Sequence, residues 1–179
     1  QYLGDILNNA GFSVTYHDFD KNRTSVVART GDGSKPPLCF TGHIDTVPLG
    51  AKEWKMDPLA ADLDGDRLYG RGSSDMKSGV AAFVFAMTEL MPYLANSRGV
   101  ILIITAGEET GCEGAFHLVN KGNILGEAGA IIVAEPSANY PLVGHKGALW
   151  LKAKNQGVTA HGSMPELGEN AIYKAARAI

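Results

Sequence analysis

The sequence predicts an α/β fold in which a mixed, largely parallel sheet is flanked by helices. Three short apolar runs, at residues 38–41, 100–105 and 130–134, have the length and composition of buried strands. Two stretches with helical character, residues 77–91 and 114–120, lie between these runs. Strands that alternate with helices along a chain are typical of sheets with parallel members.

The remaining elements follow from weaker patterns. Residues 2–10 are typical of the end of a helix that the next glycine terminates. Residues 12–16 and 25–28 are predicted to be earlier, more exposed strands. Residues 148–155 alternate between apolar and polar side chains, as a half-exposed strand does. In residues 170–179, apolar side chains recur with helical spacing, which predicts a final helix.

A change of pattern near residues 144–147 predicts a domain boundary. We expect residues 1–146 to form most of a first domain and residues 147–179 to begin a second, smaller one. The first residue is not methionine, and the last predicted helix ends without a cap. We therefore expect a partial chain that lacks the start of the first helix and the last strands of the sheet.

The composition excludes two classes of partner. A net charge of −3 and a pI near 5.9 argue against nucleic acid, because phosphate backbones require a basic face. The longest apolar run, residues 80–87, is far too short to span a membrane. Cys39 and Cys112 lie in no paired motif, which favours a reducing, cytoplasmic location. We therefore expect a cytoplasmic protein with a small-molecule partner.

Acidic and imidazole side chains follow three of the predicted strands. His43 comes directly after the first buried run, Glu108 and Glu109 follow the second, and Glu135 follows the third. In open α/β sheets, ligands bind at the carboxyl ends of the strands. The sequence therefore predicts that these side chains meet at one edge of the sheet.

A fourth acidic position lies in a loop rich in glycine and serine, residues 70–79, where Asp75 precedes a predicted helix. Four carboxylates and one imidazole at one place would repel each other without a cation. Imidazole combined with carboxylate suits zinc, manganese or cobalt better than calcium or magnesium. The residues therefore predict a transition-metal site.

Each of these residues also has a simpler explanation when it stands alone. An isolated pair of glutamates is usually solvated surface, a single histidine at a strand end is usually structural, and Asp75 could merely cap its helix. The glycine-rich loop could suggest a phosphate cradle, but Asp75 stands where the third glycine belongs. The coincidence of all four positions at one sheet edge favours the metal site.

Five segments together resemble a known family: residues 41–48, 68–79, 105–111, 134–136 and 157–179. They are similar, in order, to motifs of the zinc metallopeptidase family of acetylornithine deacetylase, succinyl-diaminopimelate desuccinylase, aminoacylase and glutamate carboxypeptidase. The resemblance implies a zinc-exopeptidase-like catalytic domain, followed by the start of a small α+β dimerisation, or lid, domain. It also implies a homodimer formed through that lid.

The resemblance implies a metal centre of two Zn²⁺ ions, for which Co²⁺ or Mn²⁺ could substitute. Asp75 would bridge both ions, His43 and Glu135 would complete one site, and Glu109 would bind the second ion. The family's further histidine ligand of the second site comes from after the lid domain and has no counterpart in these 179 residues. We therefore expect this chain alone to be inactive, poorly stable and short of metal at the second site.

The resemblance also implies three catalytic positions. Glu108 would be the general base, and Asp45 would accept the second N–H of His43 and so fix its tautomer. His161 in the lid would donate to the developing oxyanion, often across the dimer. Together they imply hydrolysis of an amide bond in an N-acyl amino acid or a short peptide by a zinc-activated water.

Two other functions remain open at the level of sequence. One is a non-catalytic domain that binds a metal or an amino acid, which the missing histidine ligand would favour. The other is a nucleotide-binding module. His17, His117 and His145 match no motif of the family, so we expect them to be structural or boundary residues.

Overall fold

The computed structural model describes residues 1–122 and 124–177 of the chain. It divides into two compact units, Gln1–Tyr140 and Pro141–Ile179, which are described separately. The sequence-based boundary between residues 146 and 147 stays a prediction. No helix among the described residues combines the length and the apolar character needed to cross a bilayer.

The first unit contains both the sheet and the helices around it. In chain order its helices and strands are α1 (Tyr2–Asn9), β1 (Ser13–Asp20), β2 (Arg23–Thr30), β3 (Leu38–His43), β4 (Leu63–Asp64), β5 (Arg67–Leu68), α2 (Ser78–Leu94), β6 (Val100–Thr105), α3 (Glu113–Asn120) and β7 (Ala130–Val133). A distorted helical turn, Ser73–Lys77, precedes α2. Strands β4 and β5 form a separate two-stranded ribbon.

The main sheet has five strands in the order β1-β2-β6-β3-β7. Strand β3 pairs in parallel with both β6 and β7, whereas β1–β2 and β2–β6 pair antiparallel. The predicted α/β class with a mixed sheet is confirmed. Because β3, β6 and β7 run in the same direction, the residues that follow each of them meet at one edge of the sheet.

Two apolar clusters lie on opposite faces of this sheet. On one face, α1 and α2 pack against alternate residues of β2 and β6, including Ala28, Leu102 and Ile104. On the other face, Leu118 of α3 packs with Val27 and its neighbours. Successive side chains of a strand point to opposite faces, so one strand serves both clusters. The sheet is therefore held rigidly from both sides at its centre.

Two predictions of strand burial were wrong. Strand β7, predicted to be buried, is exposed along its whole length, and Ile131 is 64% exposed. Within the part of the chain that the structure describes, this strand forms one edge of the sheet and pairs with β3 alone. Strand β2, predicted to be more exposed, has a buried centre because it lies between β1 and β6. The burial of both strands therefore depends on their position in the sheet rather than on their local composition.

The second unit contains few regular elements. A short 3₁₀ turn covers Pro165–Leu167, and helix α4 covers Ala171–Ala176. The Asn170 side chain caps α4 by accepting from the backbone N–H groups of Ile172 and Tyr173. Ile179, which the sequence placed in this helix, lies outside the described residues.

The strand predicted at residues 148–155 is not found, and this prediction was wrong. These residues have no regular secondary structure, and the only pairing of backbone in the described part of this unit is a single bridge between Val158 and Glu169. Alternation of polar and apolar side chains predicts a strand only where a neighbouring strand supplies hydrogen bonds. No such neighbour pairs with residues 148–155 in the part of the unit that the structure describes.

Candidate metal centre

His43 is the buried centre of the candidate site. It is the last residue of β3, and only 2% of its side chain is exposed. The backbone N–H of His43 donates to Sδ of Met76 at 3.1 Å. A Cβ at Gly42 would lie 2.5 Å from Met76 Cε, so a larger residue there would displace the end of the Met76 side chain. The strand end and the loop that carries Asp75 are therefore packed directly against each other.

Three carboxylates from three different segments face His43 Nε2. The distance from Nε2 is 3.3 Å to Asp75 Oδ1, 3.6 Å to Glu135 Oε1 and 3.7 Å to Glu108 Oε2. Glu108 follows β6, Glu135 follows β7, and Asp75 lies in the turn before α2. The sequence-based expectation that these side chains converge at the carboxyl edge of the sheet agrees with this geometry.

The ligand atoms form two groups that could each hold a cation. His43, Asp75 and Glu135 place one ligand atom apiece within 4.8 Å of one another, and so do His43, Glu108 and Glu109. Nitrogen and carboxylate oxygen donors at this spacing fit zinc, manganese or cobalt. In the described residues, His17, His117 and His145 belong to neither group.

The electrostatics of the site also fit a cation. Burial raises the pKa of Glu135, and the charges of Asp75 and Glu108 raise it further, while His43 opposes them. The pKa of Glu109 is also raised, first by burial and then by the same two carboxylates. Carboxyl groups crowded in this way resist ionisation unless a positive charge lies among them. A divalent ion at the centre would offset the repulsion between the ionised carboxylates.

Asp45 organises the loop that carries the two glutamates. Its Oδ1 accepts the backbone N–H groups of Gly107 at 2.8 Å and Glu108 at 3.1 Å, and its Oδ2 accepts that of Glu109 at 3.1 Å. A charged acceptor makes such bonds stronger than those between neutral groups. One carboxylate therefore fixes three consecutive residues at the end of β6.

The contact between Asp45 and His43 differs from the sequence-based expectation. His43 Nδ1 lies 3.0 Å from the backbone carbonyl oxygen of Asp45 but 3.6 Å from its carboxylate. A carbonyl can only accept, so this bond requires the proton on Nδ1. In the neutral ring, Nε2 then presents its lone pair toward the carboxylates, as a metal ligand needs.

Cys112 is a neighbour of the site that the sequence analysis missed. Its Sγ lies 3.9 Å from Glu108 Oε1, and burial raises the pKa of this thiol. Its position four residues after Glu108, at the start of α3, is the only sequence feature that could have indicated this proximity. The thiol therefore borders Glu108, the predicted general base.

His161 is described within the second unit alone. Its Nδ1 lies 2.8 Å from Oγ of Ser163, and the Ser163 backbone N–H also approaches Nδ1 at 3.3 Å. The ring itself is exposed. These contacts restrain the ring near the turn that follows it. The predicted role of His161 in catalysis stays a prediction.

Replacing Asp45 by asparagine should loosen the metal centre. The amide has the same shape but presents an NH₂ group to at least one of the three backbone donors. A buried donor left without an acceptor costs about 1–3 kcal/mol, and loss of such a supporting group typically weakens metal binding by about 10- to 100-fold. Urea unfolding and competitive zinc titration measure the two effects. Asp66→Asn, at an exposed position, is the control, and unchanged values in Asp45→Asn would contradict the prediction.

The raised pKa values of Glu109 and Glu135 predict how stability depends on pH in the metal-free protein. Their folded pKa lies above the unfolded value, so the stabilisation is complete below the unfolded pKa and is lost as pH rises through the folded pKa. Metal-free protein should therefore lose stability over the range in which pH rises above 4.5, the ordinary value for glutamate, and through the raised folded pKa values. The Glu135→Gln variant should lose less over that range, while Glu89→Gln on α2 should follow the wild type. Thermal unfolding at several pH values tests this, and equal slopes for wild type and Glu135→Gln would contradict it.

Comparison with known sequences agrees with this geometry. The family described as peptidase family M20/M25/M40 matches residues 39–177. A probable succinyl-diaminopimelate desuccinylase of Staphylococcus epidermidis is 38% identical over 175 residues, which cover 96% of this chain and 42% of that protein. The chain thus spans less than half the length of this curated relative.

Solved structures show the same similarity. The M20 family metallo-carboxypeptidase Sso-CP2 from Sulfolobus solfataricus matches with a TM-score of 0.63 and 27% identity, over 74% of this chain and 31% of that one. Human carnosine dipeptidase 1 matches with a TM-score of 0.61 and 26% identity, over 74% and 31% of the two chains. The resemblance predicted from the motifs is confirmed, and the chain belongs to peptidase family M20/M25/M40.

Proposed function

We propose that this chain forms most of the metal-binding catalytic domain of a zinc-dependent enzyme that hydrolyses amide bonds. The observation that carries the proposal is the buried Nε2 of His43, which three carboxylates face at the carboxyl edge of the parallel strands. An arrangement that crowds anions around an imidazole is costly unless it holds a cation. The family membership of the chain supports a hydrolase.

In this proposal, the site would hold two zinc ions. His43, Asp75 and Glu135 would hold the first ion, as one of the two ligand groups suggests. Glu109 would hold the second ion, with Asp75 shared between them. Bound zinc would polarise the scissile carbonyl and make a water molecule more acidic. Cobalt or manganese could replace zinc because the ligands are nitrogen and oxygen.

Glu108 is the residue that we propose moves the proton. It lies outside the group formed by His43, Asp75 and Glu135, at 3.7 Å from His43 Nε2, and its backbone is held by Asp45. The carboxylate would accept a proton from the attacking water and return it to the leaving amine. His161 would donate to the oxygen that becomes negative, in a homodimer formed through the second unit.

The substrate class follows from chemistry and from the relatives. The relatives are named as a desuccinylase, a carboxypeptidase and a dipeptidase, all of which cleave an amide bond next to an amino acid. We propose an N-acyl amino acid or a short peptide as the substrate of this protein. The similarity to desuccinylases at 38% identity makes an N-succinyl amino acid the first substrate to test.

A substrate panel tests this proposal on the full-length gene product. The protein is loaded with zinc, its metal content is measured, and N-succinyl amino acids, N-acetyl amino acids and dipeptides are supplied in parallel. Release of the free amine, abolished by a chelator and restored by zinc, is the expected result. A metal-loaded, folded protein that cleaves none of the three classes would refute the proposal.

A further inference from the structure

A cavity lies at the opposite edge of the sheet from the metal centre. It has a volume of about 350 Å³ and is bordered by the end of β2, the start of β6 and the loop before β3. His43 lies at the far end of β3, five residues along that strand from Leu38. At about 3.3 Å per residue, the cavity is roughly 16 Å from the metal centre. It is therefore a separate site.

Three cationic side chains line this cavity: Arg29, Lys35 and Arg98. None of the residues that border it is acidic, and the nearest carboxylate in the sequence, Asp32, accepts the backbone N–H of Ser34. The whole chain has a net charge of −3, so a local excess of cations does not follow from its composition. Like charges placed around one cavity repel each other unless an anion lies among them.

Most N–H groups of these three cationic side chains are available to bind a ligand. Arg29 uses its Nη2 to donate to the backbone carbonyls of Ile124 and Leu125, which anchors the guanidinium while its other N–H groups bond to none of the described residues. Lys35 and Arg98 form no hydrogen bond or ion pair with the described residues. Burial lowers the pKa of Arg29, as expected for a cation without a counter-ion.

The backbone around the cavity is closely packed rather than loose. A Cβ at Gly99 would lie 1.8 Å from the Thr30 carbonyl oxygen, and one at Gly31 would lie 2.5 Å from Gly99 Cα. The backbone N–H of Asp32 also donates to the Ser97 carbonyl at 2.9 Å. The loop that carries Lys35 and the loop that carries Arg98 are thus held against each other, and the cations are brought together by fixed backbone.

From these observations we propose that the cavity binds a phosphate group, either as inorganic phosphate or as part of a small phosphorylated metabolite. The guanidinium fork of Arg98, the remaining N–H groups of Arg29 and the ammonium group of Lys35 match the several oxygens of a tetrahedral oxyanion. The volume exceeds that of one phosphate ion, so there is room for a small organic group as well. Bound phosphate would join the two loops and stabilise the starts of β3 and β6.

The first test compares two double variants with equal loss of charge. Inorganic phosphate is titrated calorimetrically at constant ionic strength into wild type, Lys35→Gln/Arg98→Gln and the control Lys152→Gln/Lys154→Gln, all with equal metal content. Loss of two charge-assisted contacts should weaken binding at least about tenfold in the first variant. The control should bind as the wild type does. Equal affinity in all three proteins, or an equal loss in both variants, would overturn the proposal.

A second measurement locates the site and identifies the ligand. Phosphate should shift the backbone amide resonances of Gly31, Gly33 and Lys35 and raise the thermal unfolding temperature of the wild type. Tighter binding of a nucleoside monophosphate would identify a phosphorylated metabolite, and weaker binding would identify free phosphate. Resonance shifts confined to His43 and its neighbours, or equal effects of chloride, would overturn the proposal. If the double variant fails to fold, the exposed Lys35→Gln alone provides the same comparison.

Discussion

In the full-length gene product, replacing Asp75 by alanine should remove both metal ions and lower kcat/KM by at least about a thousandfold, because polarisation by a metal lowers the barrier by several kcal/mol. Asp75 makes the shortest contact with His43 Nε2, and its charge also raises the pKa of Glu109 in the second group. A carboxylate that acts on both groups should weaken both when it is lost. Elemental analysis and equilibrium dialysis with zinc measure how much metal each site binds, and substrate turnover measures the fall in kcat/KM.

The Asp66→Ala variant is the matched control for Asp75→Ala. Asp66 lies between β4 and β5, where its side chain is exposed. This variant should keep two zinc ions and full activity. Loss of only one ion in Asp75→Ala, with the other bound as in the wild type, would contradict a bridging role for Asp75.

Replacing Glu108 by glutamine should leave the metal content nearly unchanged and lower kcat at least about a hundredfold, the usual scale of general acid–base catalysis. The amide keeps the shape of the side chain, and the backbone N–H of residue 108 can still donate to Asp45. The amide side chain can no longer accept a proton from the attacking water, as the carboxylate would. The pH dependence of kcat should change together with its magnitude.

Glu109→Gln provides the internal comparison for Glu108→Gln, because the two residues are adjacent and the same atoms are changed. This variant should lose metal, and its activity should recover in part at high zinc concentration. Glu89→Gln on α2 should match the wild type in both respects. Metal loss in Glu108→Gln, combined with metal retention in Glu109→Gln, would reverse the two assignments.

Much of the candidate site could be predicted from sequence because it depends on strand direction. His43, Glu108 and Glu135 each follow an apolar run, and parallel strands deliver the residues after them to one edge. Asp75 lies on no strand, and its place in the site followed from the resemblance of its loop to a family motif. The structure brings its carboxylate to 3.3 Å from His43.

Features that depend on position in the fold could not be predicted. The apolar runs of β6 and β7 look alike in sequence, yet β6 is buried at the centre of the sheet and β7 is exposed at its edge. The three bonds of Asp45 join segments more than 60 residues apart. Arg98 is likewise distant in sequence from Arg29 and Lys35, and the pairing of β2 with β6 brings it to the same cavity.

The bonds of Asp45 have a consequence for how this site can change during evolution. Its carboxylate binds main-chain N–H groups, which every residue except proline possesses, and no side chain of the loop takes part. The backbone conformation of residues 107–109 therefore does not depend on which side chains they carry. Mutations at 108 and 109 can change which metal is bound or which group transfers the proton, while the backbone conformation stays constant. Asp45 itself has little freedom to vary.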